Sequence, residues 1–199
     1  MGEIWLIRHG ETAWSLSGQH TGRTDVPLTP EGVRQAERLG RRVVGKRFAL
    51  VLTSPRARAR ETCRLAGLAG AAQVDDDLAE WDYGALEGRT GAEIRAGMPG
   101  WTIWAGPVPG GETAAQVGAR ADRVLARARA AGGDVALFAH GHLLRVAAAR
   151  WLGLSPAEGR LFALDTASVS VLGSEQDTPV IRSWNERCGG DEAPEEGRR

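Results

Sequence analysis

Lysine is almost missing from this chain. Lys46 stands alone among 25 basic residues, and the other 24 are arginines. A mechanism that needs several active-site lysines is therefore excluded. The bias itself reads as a background preference for arginine, since surface positions tolerate either base. Cysteine is scarce too. Cys63 and Cys188 form no spaced framework, and with four histidines a multi-ligand Cys/His metal site is implausible; no cofactor is expected. Charge of either sign is lacking in excess. The formal net charge is +0, and bulk electrostatics therefore offers no pull toward nucleic acid or a membrane surface. No stretch approaches the roughly 20 apolar residues that a membrane span needs. The run from Met1 to Ile7 is too short to be a secretory leader. A cytoplasmic location, under reducing conditions, is the simplest expectation. A length of 199 residues fits one domain. Residues 1–186 read as that domain, and 187–199, rich in Gly, Glu, Pro and Arg, as a disordered tail.

Within the domain, short apolar runs alternate with helical patterns. Ile4 to Ile7, Ala49 to Thr53 and Asp134 to Ala139 read as strands buried on both faces, the mark of a parallel sheet. Ser168 to Leu172 and Pro179 to Trp184 read as later strands, and a short one fits near Gln73 and Val74. Thr29-Pro30-Glu31 predicts a helix start: a capping hydroxyl, a proline at the first helical position and an acid at the positive end of the dipole. Val33, Ala36, Leu39, Val43 and Val44 give that helix its apolar stripe. Ser54-Pro55 repeats the signal and predicts a helix to about Leu65. Further helices are expected at Thr90 to Ala96, Glu112 to Ala131 and Leu143 to Leu152. Asp75-Asp76-Asp77 reads as a solvated turn. Gly97 to Gly111, rich in Pro and Gly, reads as a lid or connecting loop. Trp5, Trp151 and Trp184 are expected in the core. Core packing is the default for Trp14, Trp81 and Trp104 as well, which could also shape a pocket. The alternation predicts an α/β fold, three layers with a mostly parallel central sheet between helices.

Two of the strands end in His-Gly. Either histidine alone would read as a structural residue, because a neutral imidazole is easily satisfied by backbone. In an open α/β sheet, however, ligands bind beyond the carboxyl ends of the strands, and there His9 and His140 would emerge together. Arg8 beside His9 suits phosphoryl transfer. Neutral imidazole is a good nucleophile toward phosphorus, and the transferring group needs fixed positive donors around its oxygens. Arginine supplies them as a planar fork. On the helix after Pro55, Arg56, Arg60 and Arg64 share one side and read as a solvated face. Arg58 projects opposite, near the sheet edge. A general acid is also needed for the leaving alcohol. Glu11, Glu80, Asp82 and Glu87 are all candidates, and a carboxylate among Trp81 and Tyr83 would be partly desolvated, which raises its pKa. His142 could face the leaving group or cap the helix that follows it.

Taken in order, Arg8-His9-Gly10-Glu11-Thr12, Leu28 to Gly32, Ser54 to Ala59, Glu80 to Gly88 and Ala139-His140-Gly141 resemble the histidine phosphatase superfamily in its phosphoglycerate mutase-like branch. The resemblance implies that fold, and roles residue by residue. His9 corresponds to the nucleophile that becomes phosphohistidine. Arg8, Arg58 and His140 correspond to the phosphate pocket, and Glu80 to the proton donor that later serves as base for water. Ser15, Thr21, Gly22 and Tyr83 match substrate-contacting positions; Gly141 and His142 join them as substrate-binding candidates. The implied partner is a small phosphorylated metabolite, and a homodimer is common in the family.

Departures from the mutase pattern favour hydrolysis. Ser15 stands where the mutases have Asn, no lysine follows Tyr83-Gly84, and the short segment from Gly97 to Gly111 lacks the mutase arginine pair. Those groups hold the substrate's second anionic end while the phosphoryl group moves. The stretches Glu80 to Gly88, Trp101 to Gly111 and Phe138 to Arg145 are most similar to broad acid phosphatases and to sedoheptulose-1,7-bisphosphatase-like members. The expected reaction is hydrolysis of small phosphomonoesters, with sugar phosphates as candidates. A phosphoglycerate mutase is the alternative, and an inactive phospho-ligand binding module the second.

Overall fold

The computed structural model describes residues 2–188. The last part of the expected tail, residues 189–199, lies outside them. Six strands and six helices build the described chain: β1 (Ile4–Arg8), α1 (Ala13–Ser17), α2 (Pro30–Val43), β2 (Leu50–Thr53), α3 (Ala57–Leu65), β3 (Ala72–Val74), α4 (Gly91–Gly97), α5 (Ala114–Ala130), β4 (Val135–Ala139), α6 (Gly141–Trp151), β5 (Ser168–Glu175) and β6 (Thr178–Arg187). They form one sheet in the order β3-β2-β4-β1-β5-β6. The first four strands run parallel; β5 and β6 run antiparallel. Arg187 ends β6 and so belongs to the sheet, not to a tail. No helix among the described residues is long and apolar enough to cross a membrane.

Strand alternation divides the core into two layers. Ile4, Leu6, Leu137 and Leu52 point to a cluster with α5 and α6, where Val124, Leu144 and Trp151 meet them. Trp5, Ile7, Phe138 and Val51 point to the other face, against Leu39 and Val43 of α2 and Cys63 of α3. Burial on both faces is why these strands carry near-continuous apolar runs.

Several boundaries differ from the sequence reading, each for a physical reason. α3 starts at Ala57, not Pro55, because Arg56, whose N–H goes to the Ser54 hydroxyl, keeps an extended backbone and stands at the N-cap. Val44 lies beyond α2 and is 78% exposed, so the stripe ends at Val43. α5 starts after Glu112, where Thr113 and Gln116 form a capping box. α6 starts two residues before Leu143, with His140 at its N-cap. The acidic run is no solvated turn. Buried Asp75 pairs with Arg127, and Asp77 with Arg123, both from α5. The segment after α4 is no open lid, since Trp101 and Ile103 pack into the core beside Trp81. Trp184 is half-buried and donates to the Ala163 carbonyl.

The loop after β1 lies tightly on the first turn of α2. A Cβ on Gly32 would stand 2.1 Å from the Glu11 carbonyl oxygen, and one on Gly10 would stand 2.4 Å from the Gly32 oxygen. Backbone must yield in either case. Gly32→Ala is expected to cost about 1–3 kcal/mol of stability. It should also lower kcat by about 10²-fold, because it shifts the loop that carries His9. Urea midpoint and kcat measured together check this; an unchanged kcat would show that the loop does not transmit the shift.

Candidate active site

β1, β4 and β2 end side by side. Their register pairs Arg8 with Ala139 and Thr53 with Phe138. His9, His140 and Ser54 therefore leave the sheet at one edge. The His9 N–H donates to the Ala139 carbonyl at 3.0 Å, and the two imidazole rings lie 5.1 Å apart at 61°.

His9 is 5% exposed. Its Nδ1 lies 2.7 Å from the Gly10 carbonyl, an acceptor only, so Nδ1 carries the proton and Nε2 keeps the lone pair. His140 is fully buried, with Nε2 2.7 Å from the Ser54 hydroxyl oxygen. That oxygen accepts the Arg56 N–H, and its own proton, with no other acceptor among the described residues, goes to His140 Nε2. The result is a His140 tautomer with Nδ1–H, a buried donor without a protein partner. Arg8 donates to the Leu164 carbonyl, while its Nε has no partner. Arg58, 1% exposed, is held by the carbonyls of Thr21, Gly22 and Thr24, again with Nε unpaired. Three buried donors in this neighbourhood thus await acceptors.

Burial, then the charges of Arg58 and Arg8, push the His9 pKa well below the ordinary histidine value of 6.5. Burial and the same arginines, with His9, do so for His140. Both rings therefore stay neutral as pH falls through 6.5. A nucleophile that must be neutral remains competent there, so the acid limb of kcat/KM is expected well below pH 6.5. A limb at 6.5 or above would refute the assignment. Stability responds in the opposite way. Burial holds His142 well below 6.5 as well, so the unfolded chain binds three more protons below about pH 6.5 and unfolding free energy falls as pH drops, by up to about 4.1 kcal/mol per pH unit. Chemical denaturation at pH 7 and 5 measures that slope.

Glu80 is 8% exposed and accepts three backbone N–H groups. Oε1 takes those of Trp81 and Leu143, and Oε2 that of His142, each at 2.9 Å. Two of these donors belong to the first turn of α6, whose orphan N–H groups suit a carboxylate. The other carboxylate candidates are committed elsewhere. Glu11 accepts the Thr29 hydroxyl, Asp82 pairs with Arg23, and Glu87 binds the N–H groups of Gly22 and Thr24.

Arg8, His9, Ser15, Thr21, Glu80, Tyr83, Gly141 and His142 line one open cavity of about 200 Å³, with Trp14, Gln19, His20 and Arg145. Arg58 and His140 lie buried outside its lining. Gly22 is not brought to it either: a Cβ there would meet the Trp81 carbonyl at 2.5 Å, and the residue serves the loop that grips Arg58. The Ser15 hydroxyl is engaged in the capping box of α1. His142 does not cap α6. Its Nδ1 lies 2.6 Å from the Tyr83 hydroxyl, whose pKa is raised well above 10 by burial and by Glu80. A larger, more apolar cavity of about 520 Å³ lies along α3, but it holds neither His9, Glu80 nor His140. Among the described residues, no three His, Cys, Asp or Glu side chains converge as metal ligands would.

Sequence reading missed Ser54, Thr62 and His20. Thr62 accepts the Gly10 N–H and donates to the Arg58 carbonyl, tying the nucleophile loop to α3. Small hydroxyl residues beside a strand end or inside an arginine-rich helix carry no distinguishing signal. His20 could have been suspected as the remaining histidine in a glycine-flanked loop.

The chain is similar to known proteins. The chain is 45% identical to an acid phosphatase of Mycobacterium tuberculosis over 86% of this chain and 86% of that protein. It is 40% identical to a sedoheptulose 1,7-bisphosphatase of Saccharomyces cerevisiae over 75% of this chain and 67% of that one. A solved structure of a Mycobacterium tuberculosis open reading frame, Rv3214, superposes with a TM-score of 0.90 at 41% identity, covering 94% of this chain and 99% of that one. The family model of the histidine phosphatase superfamily, branch 1, matches residues 4–187, and the chain belongs to that superfamily.

Proposed function

We propose that the chain hydrolyses small phosphomonoesters, sugar phosphates among them, through a phosphohistidine on His9 Nε2. One observation carries this reading: a buried, neutral imidazole with a free Nε2 lies among three unpaired N–H donors, on Arg8, Arg58 and His140. The oxygens of a phosphoryl group would satisfy those donors, and fixed donors stabilise the charge that spreads over them. In the first step His9 Nε2 bonds to phosphorus as the ester P–O bond breaks. Protonated Glu80 gives its proton to the departing alkoxide. Oε2, with one backbone bond to two on Oε1, has the capacity to hold that proton. In the second step the Glu80 carboxylate takes a proton from water, the water oxygen bonds to phosphorus, and the N–P bond breaks. Orthophosphate leaves and His9 is neutral again.

Names of relatives support phosphorylated sugars as the substrate class. A mutase reading would need a second, anion-binding site, and Lys46, which packs over Trp5, does not supply a lysine to it. Rapid quench in base during turnover should trap the phosphoryl group on His9, where peptide mapping locates it. Turnover with no trapped phosphohistidine would overturn the reading.

A further inference from the structure

His20 lies in the same cavity as His142, and its ring is parallel to it. The two planes differ by 1° and the ring centres are 6.0 Å apart. Both rings are fixed. His20 Nδ1 lies 2.8 Å from the Arg89 carbonyl, so it carries the proton and Nε2 is an acceptor. The ring also stands edge-on to Tyr83 and Trp101, at 4.8 and 5.5 Å. Backbone bonds from His20 to Arg89 and from Gly88 to His20 anchor its loop. For His142 the assignment reverses. The Tyr83 hydroxyl has no other partner among the described residues, so its proton goes to His142 Nδ1 and Nε2–H is a donor. One imidazole therefore offers an acceptor and its parallel neighbour a donor.

We infer that His20 and His142 form a hydroxyl-reading pair that selects leaving alcohols bearing a hydroxyl near the ester oxygen, that is, polyol or sugar monoesters. This rests on the phosphatase reading above. A hydroxyl of the alcohol accepts from His142 Nε2–H, and a neighbouring hydroxyl donates to His20 Nε2, each bond lying in the plane of its own ring. The pair lies on the leaving-group side, because the His142 N–H is bound to Glu80, the proton donor to that group. A chain of equal length without hydroxyls leaves both nitrogens unpaired, and discrimination follows from that cost.

Glycerol 1-phosphate and n-propyl phosphate test the pair directly. The wild-type protein should favour the glycerol ester in kcat/KM by about tenfold or more. His20→Phe keeps a ring but no nitrogen, and the ratio should fall toward one. His20→Gln places an amide near the Nε2 position and should keep more of the preference than His20→Asn, whose amide mimics Nδ1. Asn keeping the preference while Gln loses it would mean that only the bond to Arg89 matters, which overturns the inference. An equal wild-type rate on both esters also overturns it, while leaving the phosphatase reading intact. Hydrolysis of neither ester overturns both.

Discussion

His9→Ala abolishes turnover of an aryl phosphate, with a loss on the order of 10⁴-fold or more. The size of this effect follows from what the residue supplies. Within the cavity Arg8 stabilises charge, Glu80 moves a proton, and His20 and His142 face the leaving alcohol, so no other lone pair is presented to phosphorus. The His9 side chain makes one hydrogen bond, to the carbonyl of its neighbour Gly10, so the variant is expected to keep the fold. The variant should therefore bind orthophosphate, since Arg8, Arg58 and His140 keep their unpaired donors. Its stability should also depend less steeply on acid. One of the three buried rings with a lowered pKa is gone, and His140 loses the His9 contribution that helps to depress its pKa. The unfolded chain then gains fewer protons relative to the folded one below pH 6.5, and the slope flattens. Full turnover in this variant would remove His9 from the mechanism. Lost turnover with lost phosphate binding would instead mean that the pocket had collapsed.

Much of this arrangement is legible in the sequence, and the rest is hidden for identifiable reasons. Buried parallel strands announce themselves, because both faces must be apolar: β1, β2 and β4 read directly from Ile4 to Ile7, Ala49 to Thr53 and Asp134 to Ala139. Thr29-Pro30-Glu31 marks α2 because cap, proline and dipole all act within four residues. The same local signal misleads at Ser54-Pro55. There the Ser54 hydroxyl accepts the Arg56 N–H but also serves His140, 86 residues away, and the helix begins only after Arg56. Asp75 misleads for the same reason, since its partner Arg127 lies 52 residues on. Local pattern reports local energy, and long-range pairs are decided by topology.

The site shows the same division. His9 and His140 are readable because each follows a strand directly, and parallel strands must release their ends at one edge. Arg58 is readable as the arginine opposite the solvated row. What orients these groups is not readable. The His140 tautomer depends on Ser54 and the backbone of Arg56, and the placement of Arg58 depends on three carbonyls between Thr21 and Thr24. Gly22 illustrates the gap. Its position in the sequence pattern points to a ligand contact, whereas its N–H and carbonyl hold Glu87 and Arg58.

Glu80→Gln separates proton donation from every other role in the cavity. An alkyl phosphate expels a strongly basic alkoxide, so loss of the acid should lower its kcat by about 10²–10⁴-fold. An aryl phosphate with an acidic phenol expels a stable anion and should lose far less in the first step. Its burst of phenol should persist while the steady state slows, since the second step still needs a base for water. The substitution carries a structural cost that must be read separately. All three backbone groups around the carboxylate are donors, and an amide offers only one oxygen. With that oxygen toward Trp81 and Leu143, the amide nitrogen faces the His142 N–H, and an unsatisfied pair there costs about 1–3 kcal/mol. The variant should thus melt earlier than the wild type, yet this cost is the same for every substrate. The dependence of rate on the leaving group's pKa is what a purely structural role cannot produce. The slope should steepen in Glu80→Gln relative to wild type, and an unchanged slope would transfer the acid role away from Glu80.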